Sequence, residues 1–144
     1  MSGRVVAVCT SARTGEIKRA VAEAEAVVDV GLAGDAHARG GNRQVSLLDE
    51  ASIDGMRAEG LELEPGAFGE NFVVRGLALA GLAIGSRLRV GATAELELTL
   101  RGKECHTPCA IYHRVGRCIM PTEGLFARVV RGGPVRPGDE VVPL

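Results

Sequence analysis

The chain has 144 residues, of which 46% are apolar and 24% charged, and its net charge at neutral pH is −1. This composition is ordinary for a folded domain and gives no overall attraction to nucleic acid or to an anionic membrane, and the 3% aromatic content argues against a base-stacking surface. No apolar run approaches the roughly 20 residues that cross a bilayer, and the N-terminus lacks the shape of a signal peptide. We therefore expect one domain over residues 1–144, located in the cytoplasm, with no nucleic-acid or membrane partner.

The first half of the chain predicts strands around one clear helix. Arg4 to Thr10 is β-branched and apolar, as in a buried strand. Alternation within Ala20 to Val30 favours strand over helix, and the glycine-rich stretch Gly31 to Asn42 predicts a loop. Arg43 to Leu48 then predicts a short strand that leads into a helix from about Asp49 to Glu59. Either the pattern Ser46-x-x-Asp49 or Asp49 itself caps its first turn, and Gly60 ends it.

The second half predicts strands separated by glycine and proline turns. The predicted strands are Asn71 to Arg75, Ala83 to Val90, Ala94 to Leu100, Leu125 to Val130 and Glu140 to Val142. Turns are expected at Gly132-Gly-Pro and at Pro137-Gly-Asp. Many short strands with little helix predict a mainly β (α+β) fold of the closed or partly open barrel type, with one or two helices.

The segment Lys103 to Gly124 carries most of the reactive side chains. It holds three of the four cysteines and two of the three histidines. Between Arg101 and Cys118 the sequence contains four lysine or arginine residues and one acidic residue. Nearby cations favour the thiolate form of cysteine, which is the form that binds metal or carries sulfur. Disulfides are not required in a reducing compartment, so we expect ligand or redox roles here, or plain burial.

Zinc binding is one interpretation of this segment. More than four ligands lie close together: Cys105, His106, Cys109, His113 and Cys118. However, a Cys-x3-Cys pair followed by an isolated cysteine is not the paired spacing typical of structural zinc sites. A non-catalytic module that binds zinc or an oxyanion stays the alternative. Cys9, in a strand-like run, is expected to lie in the core.

Several motifs, in order along the chain, resemble the MOSC domain, the family named for the C-terminal domain of molybdenum cofactor sulfurase. They are Gly31-Leu-Ala-Gly-Asp-Ala-His37, Arg43-Gln-Val-Ser-Leu-Leu48, Pro65-Gly-Ala-Phe-Gly-Glu-Asn71, Gly85-Ser-Arg-Leu-Arg-Val-Gly91, Gly102-Lys-Glu-Cys-His-x-x-Cys109 and Cys118-Ile-Met-Pro-x-Glu-Gly-x-Phe-Ala127. The match runs from about Val5 to Val142 and is closest to the small bacterial branch, whose members stand alone or are fused to molybdopterin-biosynthesis domains. The resemblance implies a MOSC-type β-barrel and a role around the molybdenum cofactor (molybdopterin).

The resemblance also implies a role for one cysteine. Cys109, which follows Pro108, corresponds to the family's functional cysteine, and it would carry sulfur as a persulfide or ligate molybdenum. Cys105 is its rival, as a resolving thiol or second ligand, whereas Cys118 could equally be buried packing.

A second group of candidates would bind the cofactor. Glycines let backbone amides approach a ligand, Arg43 can clamp a phosphate or carboxylate, and Glu70 can act as an acid or base. A tight turn with a structural Asp–Arg pair, an Asx turn and solvated charges explain the same residues almost equally well. The candidates are Asp35, His37, Arg43, Gln44, Glu70 and Asn71, with Lys103, His106 and Arg114 as partners for the pterin phosphate.

The implied activity is either sulfurtransferase-like or a molybdenum-dependent reduction of N-hydroxylated compounds, as in some relatives, or else cofactor binding without catalysis. No flavin, haem or iron–sulfur pattern is present in the sequence, so a reductase would need an external electron donor. The half of the sulfurases that mobilises sulfur with pyridoxal phosphate is also lacking. Sulfur would therefore come from a donor such as a cysteine desulfurase, and the expected partners are molybdopterin-biosynthesis or molybdoenzyme proteins.

Overall fold

The structure, a computed structural model, describes residues 2–102 and 118–144. Its helices are α1 (Glu50–Arg57) and α2 (Met120–Glu123), and a 3-10 turn spans Leu79–Gly81. Its strands are β1 (Gly3–Thr10), β2 (Arg19–Val21), β3 (Ala24–Val27), β4 (Gly31–Leu32), β5 (Val45–Asp49), β6 (Phe72–Arg75), β7 (Arg87–Val90), β8 (Ala94–Arg101), β9 (Leu125–Arg131), β10 (Gly133–Val135) and β11 (Glu140–Pro143).

Seven of these strands close into a barrel, as the sequence predicted. The order is β11-β7-β8-β9-β5-β6-β1, and β1 pairs again with β11 through Gly3 and Arg4. Neighbours are antiparallel except β5 and β6, which run parallel because α1 and the segment after it carry the chain back across the sheet. One edge of β1 pairs with β6. The other edge is shared by β11 at its start and β2 at its end.

The predicted strand over Ala20 to Val30 is confirmed as two strands, β2 and β3. The prediction of a turn at Gly132-Gly-Pro is wrong in part. Gly133–Val135 forms β10, which pairs with Ala24–Ala26 of β3 in a three-stranded sheet with β4. Glycine and proline favour turns locally, but here a partner more than 100 residues earlier supplies the pairing. Part of the predicted strand Ala83 to Val90 is also a turn, and β7 begins at Arg87.

Two apolar clusters lie on opposite sides of the barrel wall: the first fills the barrel interior and the second covers its outer face. Alternation in β8 puts Ala94, Leu96 and Leu98 into the barrel interior, and Leu100, beyond an irregularity in the pairing with β9, packs on the second cluster. The second cluster lies between the barrel wall and α1. Its members include Ala7, Cys9, Leu48, Ile53, Met56, Phe68, Val73, Met120 and Phe126.

The predicted helix is confirmed as α1. Asp49 caps it by accepting a hydrogen bond from the Ala51 N–H, and Ile53 and Met56, three residues apart, bury one face against the second cluster. Beyond its end, Gly60 adopts a φ of 95°, which a glycine takes without strain. No helix in the described part of the chain is long and apolar enough to cross a membrane.

Candidate functional site

A buried ion pair between Lys18 and Asp35 lies at the centre of the candidate site. The Lys18 Nζ is 2.8 Å from Asp35 Oδ1, and the two side chains are 1% and 0% exposed. Lys18 also donates to Ser11 Oγ at 3.1 Å, and Asp35 accepts bonds from the backbone N–H groups of Ser11 and His37, each at 3.0 Å. Both charges are therefore compensated, as buried charges must be.

The surroundings of Asp35 keep it ionised. Burial by itself raises the pKa of this carboxyl, but the contacts from His37, Lys18 and Ser11 outweigh it, so the pKa lies well below its usual range. Asp35 is thus a fixed negative charge that holds Lys18 and the backbone of His37.

Two loops meet at this pair and are joined by reciprocal bonds. Ser11, directly after β1, donates its N–H to Asp35, and the Ala36 N–H donates to the Ser11 carbonyl at 2.8 Å. The loop that carries Asp35 follows β4, so the predicted loop over Gly31 to Asn42 begins two residues later than expected, and Gly31 itself is a strand residue with a φ of 133°. A Cβ at this position would lie 2.7 Å from the Gln44 carbonyl oxygen. Gly31 therefore allows two backbone segments of the protein to come close together, whereas the sequence suggested close approach of a ligand.

His37 has an unsatisfied ring nitrogen beside the ion pair. Its Nδ1 is buried, lies 3.7 Å from Asp35 Oδ2 and has no hydrogen-bond partner in the described part of the chain. The side chain is 22% exposed and lines a small cavity of about 10 Å³, room for about one water, together with Ser46, Gly69, Met120 and Phe126. Because Val45 and Leu47 point into the barrel, Ser46 between them points outward, so this cavity lies on the outer wall over β5 and β9.

Glu70 lies fully buried and holds a turn rather than facing this cavity. Its carboxylate accepts bonds from the N–H groups of Gly66 at 2.9 Å and Phe68 at 3.0 Å. Gly66 has a φ of 91°, and a Cβ there would clash with the Lys18 carbonyl. The Gly66 carbonyl in turn accepts from the Lys18 N–H at 2.9 Å. Glu70 thus fixes the turn against which the backbone of Lys18 rests.

Asn71 and Gln44 are also buried and engaged within the fold. Asn71 Oδ1 accepts from the Ser46 N–H at 2.9 Å, and its Nδ2 donates to the Cys9 carbonyl at 3.0 Å. Gln44 donates to the Gly41 carbonyl and accepts from the Val129 N–H, both at 2.9 Å. Their cofactor-binding roles stay predictions, and the contacts observed connect strands and loops.

Arg43 is an exposed cation that contacts one wall of this cavity. Its guanidinium lies 5.7 Å from the centre of the Phe126 ring, a stacking distance, and Phe126 also lines the His37 cavity. Asp35 pairs with Lys18, so the Asp–Arg pair considered as an alternative is not formed by this carboxylate. Among the described residues, no ion pair of Arg43 is observed.

Sequence reasoning missed Lys18. It stands in a polar stretch, Gly15 to Arg19, without a motif. The available signal is compositional, because the chain contains only two lysines among its 17 basic residues. Lysine places a single compact charge on one carboxylate oxygen, whereas the broader guanidinium of arginine has five donors to satisfy.

The cysteines divide into two groups. Cys9 is fully buried in the second cluster, as expected. Its burial and, to a smaller extent, the charge of Glu70 raise the pKa of its thiol to about 12, so it remains protonated. Cys118 is partly buried against the same cluster. The predictions on Cys105, Cys109, Lys103, His106, His113 and Arg114 fall outside the described residues. Within residues 2–102 and 118–144, no three His, Cys, Asp or Glu side chains gather as a metal site.

Glu70 makes a testable contribution to pH dependence. Burial raises the pKa of its carboxyl, so between the ordinary glutamate value and this raised value the folded state binds more protons than the unfolded state. Stability from this group therefore falls as the pH rises through that window. We expect wild-type stability, measured by urea unfolding and referred to Glu70→Gln at each pH, to decline as the pH rises from about 4 towards neutrality. If the free energy of unfolding changed with pH equally in the two proteins, the raised pKa of Glu70 would be contradicted.

The fold and the site together define a class of protein: a closed β-barrel with a small polar cavity on its outer wall, beside a buried ion pair and a half-buried imidazole. The sequence profile of the MOSC domain matches residues 34–142. The chain therefore belongs to the MOSC domain family, a family associated with the molybdenum cofactor.

Solved structures show the same fold. The YuaD protein from Bacillus subtilis superposes with a TM-score of 0.80 at 20% identity, covering 98% of this chain and 94% of that one. YiiM from Geobacillus stearothermophilus gives 0.73 at 19% identity, covering 99% and 75%, and YiiM from Escherichia coli gives 0.71 at 20% identity, covering 100% and 70%. At these identities the similarity concerns the fold alone. Comparison with curated proteins found no match.

Proposed function

We propose that this protein binds the molybdenum cofactor and that Cys109 is the thiolate that carries sulfur to it or ligates its metal. The observation that supports this most is the His37 cavity. It combines a buried imidazole nitrogen, which has no partner among the described residues, with Met120, near the end of the cysteine-rich segment, and Phe126, two residues after that segment. The Gly102 N–H donates to the Gly124 carbonyl at 2.6 Å, so the chain leaves β8 and returns to β9 at neighbouring points.

His37 and Arg43 fit an anionic, polar group, whereas Glu16, which also lines the cavity, does not. At about 10 Å³ the cavity would admit one atom of such a group, and the rest of the group would lie outside it. His37 Nδ1 offers a hydrogen bond that no other described residue uses, and Arg43 offers a planar cation beside Phe126. Together with Lys103, His106 and Arg114, they would hold the pterin phosphate. When bound, the cofactor would supply a molybdenum centre for reduction of N-hydroxylated compounds, with electrons from an external donor.

Asp35 and Lys18 would position His37 without touching the cofactor. The carboxylate holds the His37 backbone N–H at 3.0 Å and lies beside the imidazole, and Lys18 keeps that carboxylate ionised.

The sulfur-carrier role requires no change in overall oxidation state. The Cys109 thiolate would attack the terminal sulfur of a donor persulfide, such as that of a cysteine desulfurase. A new S–S bond forms at Cys109, the donor's S–S bond breaks, and the donor cysteine leaves as a thiolate. The cations predicted around Cys109 favour its thiolate. The partners would be molybdopterin-biosynthesis or molybdoenzyme proteins in the cytoplasm.

Replacing Cys109 tests the proposal. We expect Cys109→Ala to lose bound molybdopterin, bound persulfide or both, with the thermal unfolding midpoint unchanged. The measurements are mass spectrometry of freshly purified native protein, fluorescence of the oxidised pterin and metal analysis. Cys118→Ala, which removes a thiol packed on the second cluster, is the matched control and should retain cofactor and sulfur.

Two results would contradict the proposal. Wild-type levels of sulfur and pterin in Cys109→Ala would remove the role of that residue. Stoichiometric zinc in the wild type, with unfolding on chelation, would favour the zinc-binding alternative.

A further inference from the structure

A second cleft, separate from the His37 cavity, lies on the outer wall beside β2. Its volume is about 400 Å³, within the range of about 300 to 1,000 Å³ typical of ligand sites. One side is formed by Ile17 and Ala20, and the other by the segment Leu61 to Pro65. Ala20 pairs with Cys9, whose side chain lies in the second cluster, so Ala20 faces the same outer side of the barrel.

The segment Leu61–Glu64 has the alternating exposure of a strand but no strand partner among the described residues. Leu61 and Leu63 are partly buried against the second cluster, and Glu62 and Glu64 alternate with them and are exposed. This is the period-two pattern of a strand that is buried on one face. Because the side chains point alternately to the core and to solvent, the backbone N–H and C=O groups lie along the two edges of the segment, where a neighbouring strand would pair.

The backbone of this segment is open to pairing. The N–H groups of all four residues make no hydrogen bond within the described part of the chain, and neither do the carbonyls of Leu61 and Glu62. An unpaired extended edge is a template for a further strand. The segment is nevertheless held in place, because the Arg57 guanidinium donates to the Leu63 carbonyl at 2.8 and 3.2 Å. Because the segment is already held in place, little conformational entropy would be lost on binding.

We propose that this cleft binds an extended peptide segment of a partner protein, which adds a strand along Leu61–Glu64. The pattern of the segment specifies the chemistry of the peptide. Apolar residues would meet Leu61, Leu63 and the cleft, and lysine or arginine at alternate positions would face Glu62 and Glu64. The lining also contains the cation of Arg19, whereas the Lys18 charge is buried on Asp35, so the acids outnumber the accessible cation. This inference does not depend on the proposed cofactor chemistry.

The probe is an acetylated and amidated heptapeptide, Val-Lys-Val-Lys-Val-Lys-Val, titrated into the full chain. We expect saturable binding by calorimetry, with slowed hydrogen exchange at the amides of Leu61–Glu64. A peptide of the same sequence that is N-methylated at every residue cannot donate to the ladder from either edge and should bind at least about tenfold more weakly. Equal affinity for both peptides, or no protection of these amides, would overturn the proposal and favour a cleft for small apolar molecules or non-specific charge attraction.

Charge variants give the second test. Glu62→Gln/Glu64→Gln should weaken binding of the probe about threefold to tenfold. The matched control is Glu23→Gln/Glu25→Gln, which removes the same charge from exposed residues outside the cleft and should leave the affinity unchanged. Equal effects of the two double variants would overturn the role of Glu62 and Glu64. Thermal unfolding of each variant checks that the fold is retained.

Discussion

Replacing Lys18 with methionine should destabilise the protein by about 3 kcal/mol or more at neutral pH, because it leaves the Asp35 carboxylate buried without its counter-charge. Both side chains are almost fully inaccessible, and the Nζ to Oδ1 distance is 2.8 Å. Methionine has a similar length and fills the same space, so packing loss contributes little. Urea unfolding of wild type and variant measures the difference.

The pH dependence distinguishes this explanation from a packing defect. The pKa of Asp35 is lowered in the folded state, so its stabilising contribution is present above the ordinary aspartate pKa and is lost as the pH falls through the folded value. The cost of Lys18→Met should therefore be largest at neutral pH and narrow below about pH 4. The double variant Lys18→Met/Asp35→Asn should recover part of the loss. A cost below about 1 kcal/mol, or one independent of pH, would contradict the role given to the pair.

Replacing Asn71 with alanine should cost about 2 to 6 kcal/mol. The side chain is fully buried and satisfies the Ser46 N–H on β5 and the Cys9 carbonyl on β1. Removing it leaves these two backbone groups without partners, at about 1 to 3 kcal/mol each. The loss should appear as a lower denaturation midpoint in urea.

Asn42→Ala is the matched control for this substitution. Asn42 is exposed, and its side chain makes no hydrogen bond to another described residue, so the change should stay within about 0.5 kcal/mol of wild type. Similar effects of the two substitutions would contradict the account of Asn71 as a link between strands.

Much of the barrel could be predicted because the relevant signals are local. Alternation in Ala94–Arg101 identifies β8 and its inward face, and the cap at Asp49 identifies the start of α1. The strand β10 could not be predicted, since Gly133 and Pro134 favour a turn and pair only because β3 lies alongside. Strand pairing between distant residues depends on the folded neighbourhood, which local propensity does not encode.

The site divides in the same way. Asp35 and His37 are predicted from their motif, but Lys18 is not, because nothing nearby in the sequence distinguishes it from a solvated charge. Glu70 and Asn71 are predicted as cofactor-binding candidates, yet their observed contacts are with the backbone of Gly66, Phe68, Ser46 and Cys9. A polar side chain that binds a ligand and one that satisfies a buried backbone group have the same residue type. Only the surroundings distinguish them.

The sequence by itself determined the family, the strand-rich class and the segment where a reactive thiolate is expected, since these follow from residue types in a fixed order along one chain. Tertiary structure alone decided the pairing of Lys18 with Asp35, the orphaned Nδ1 of His37 and the open backbone of Leu61–Glu64. These features arise where segments far apart in the chain exclude water together, and exclusion of water is what makes an ion pair or an unmet hydrogen bond energetically decisive.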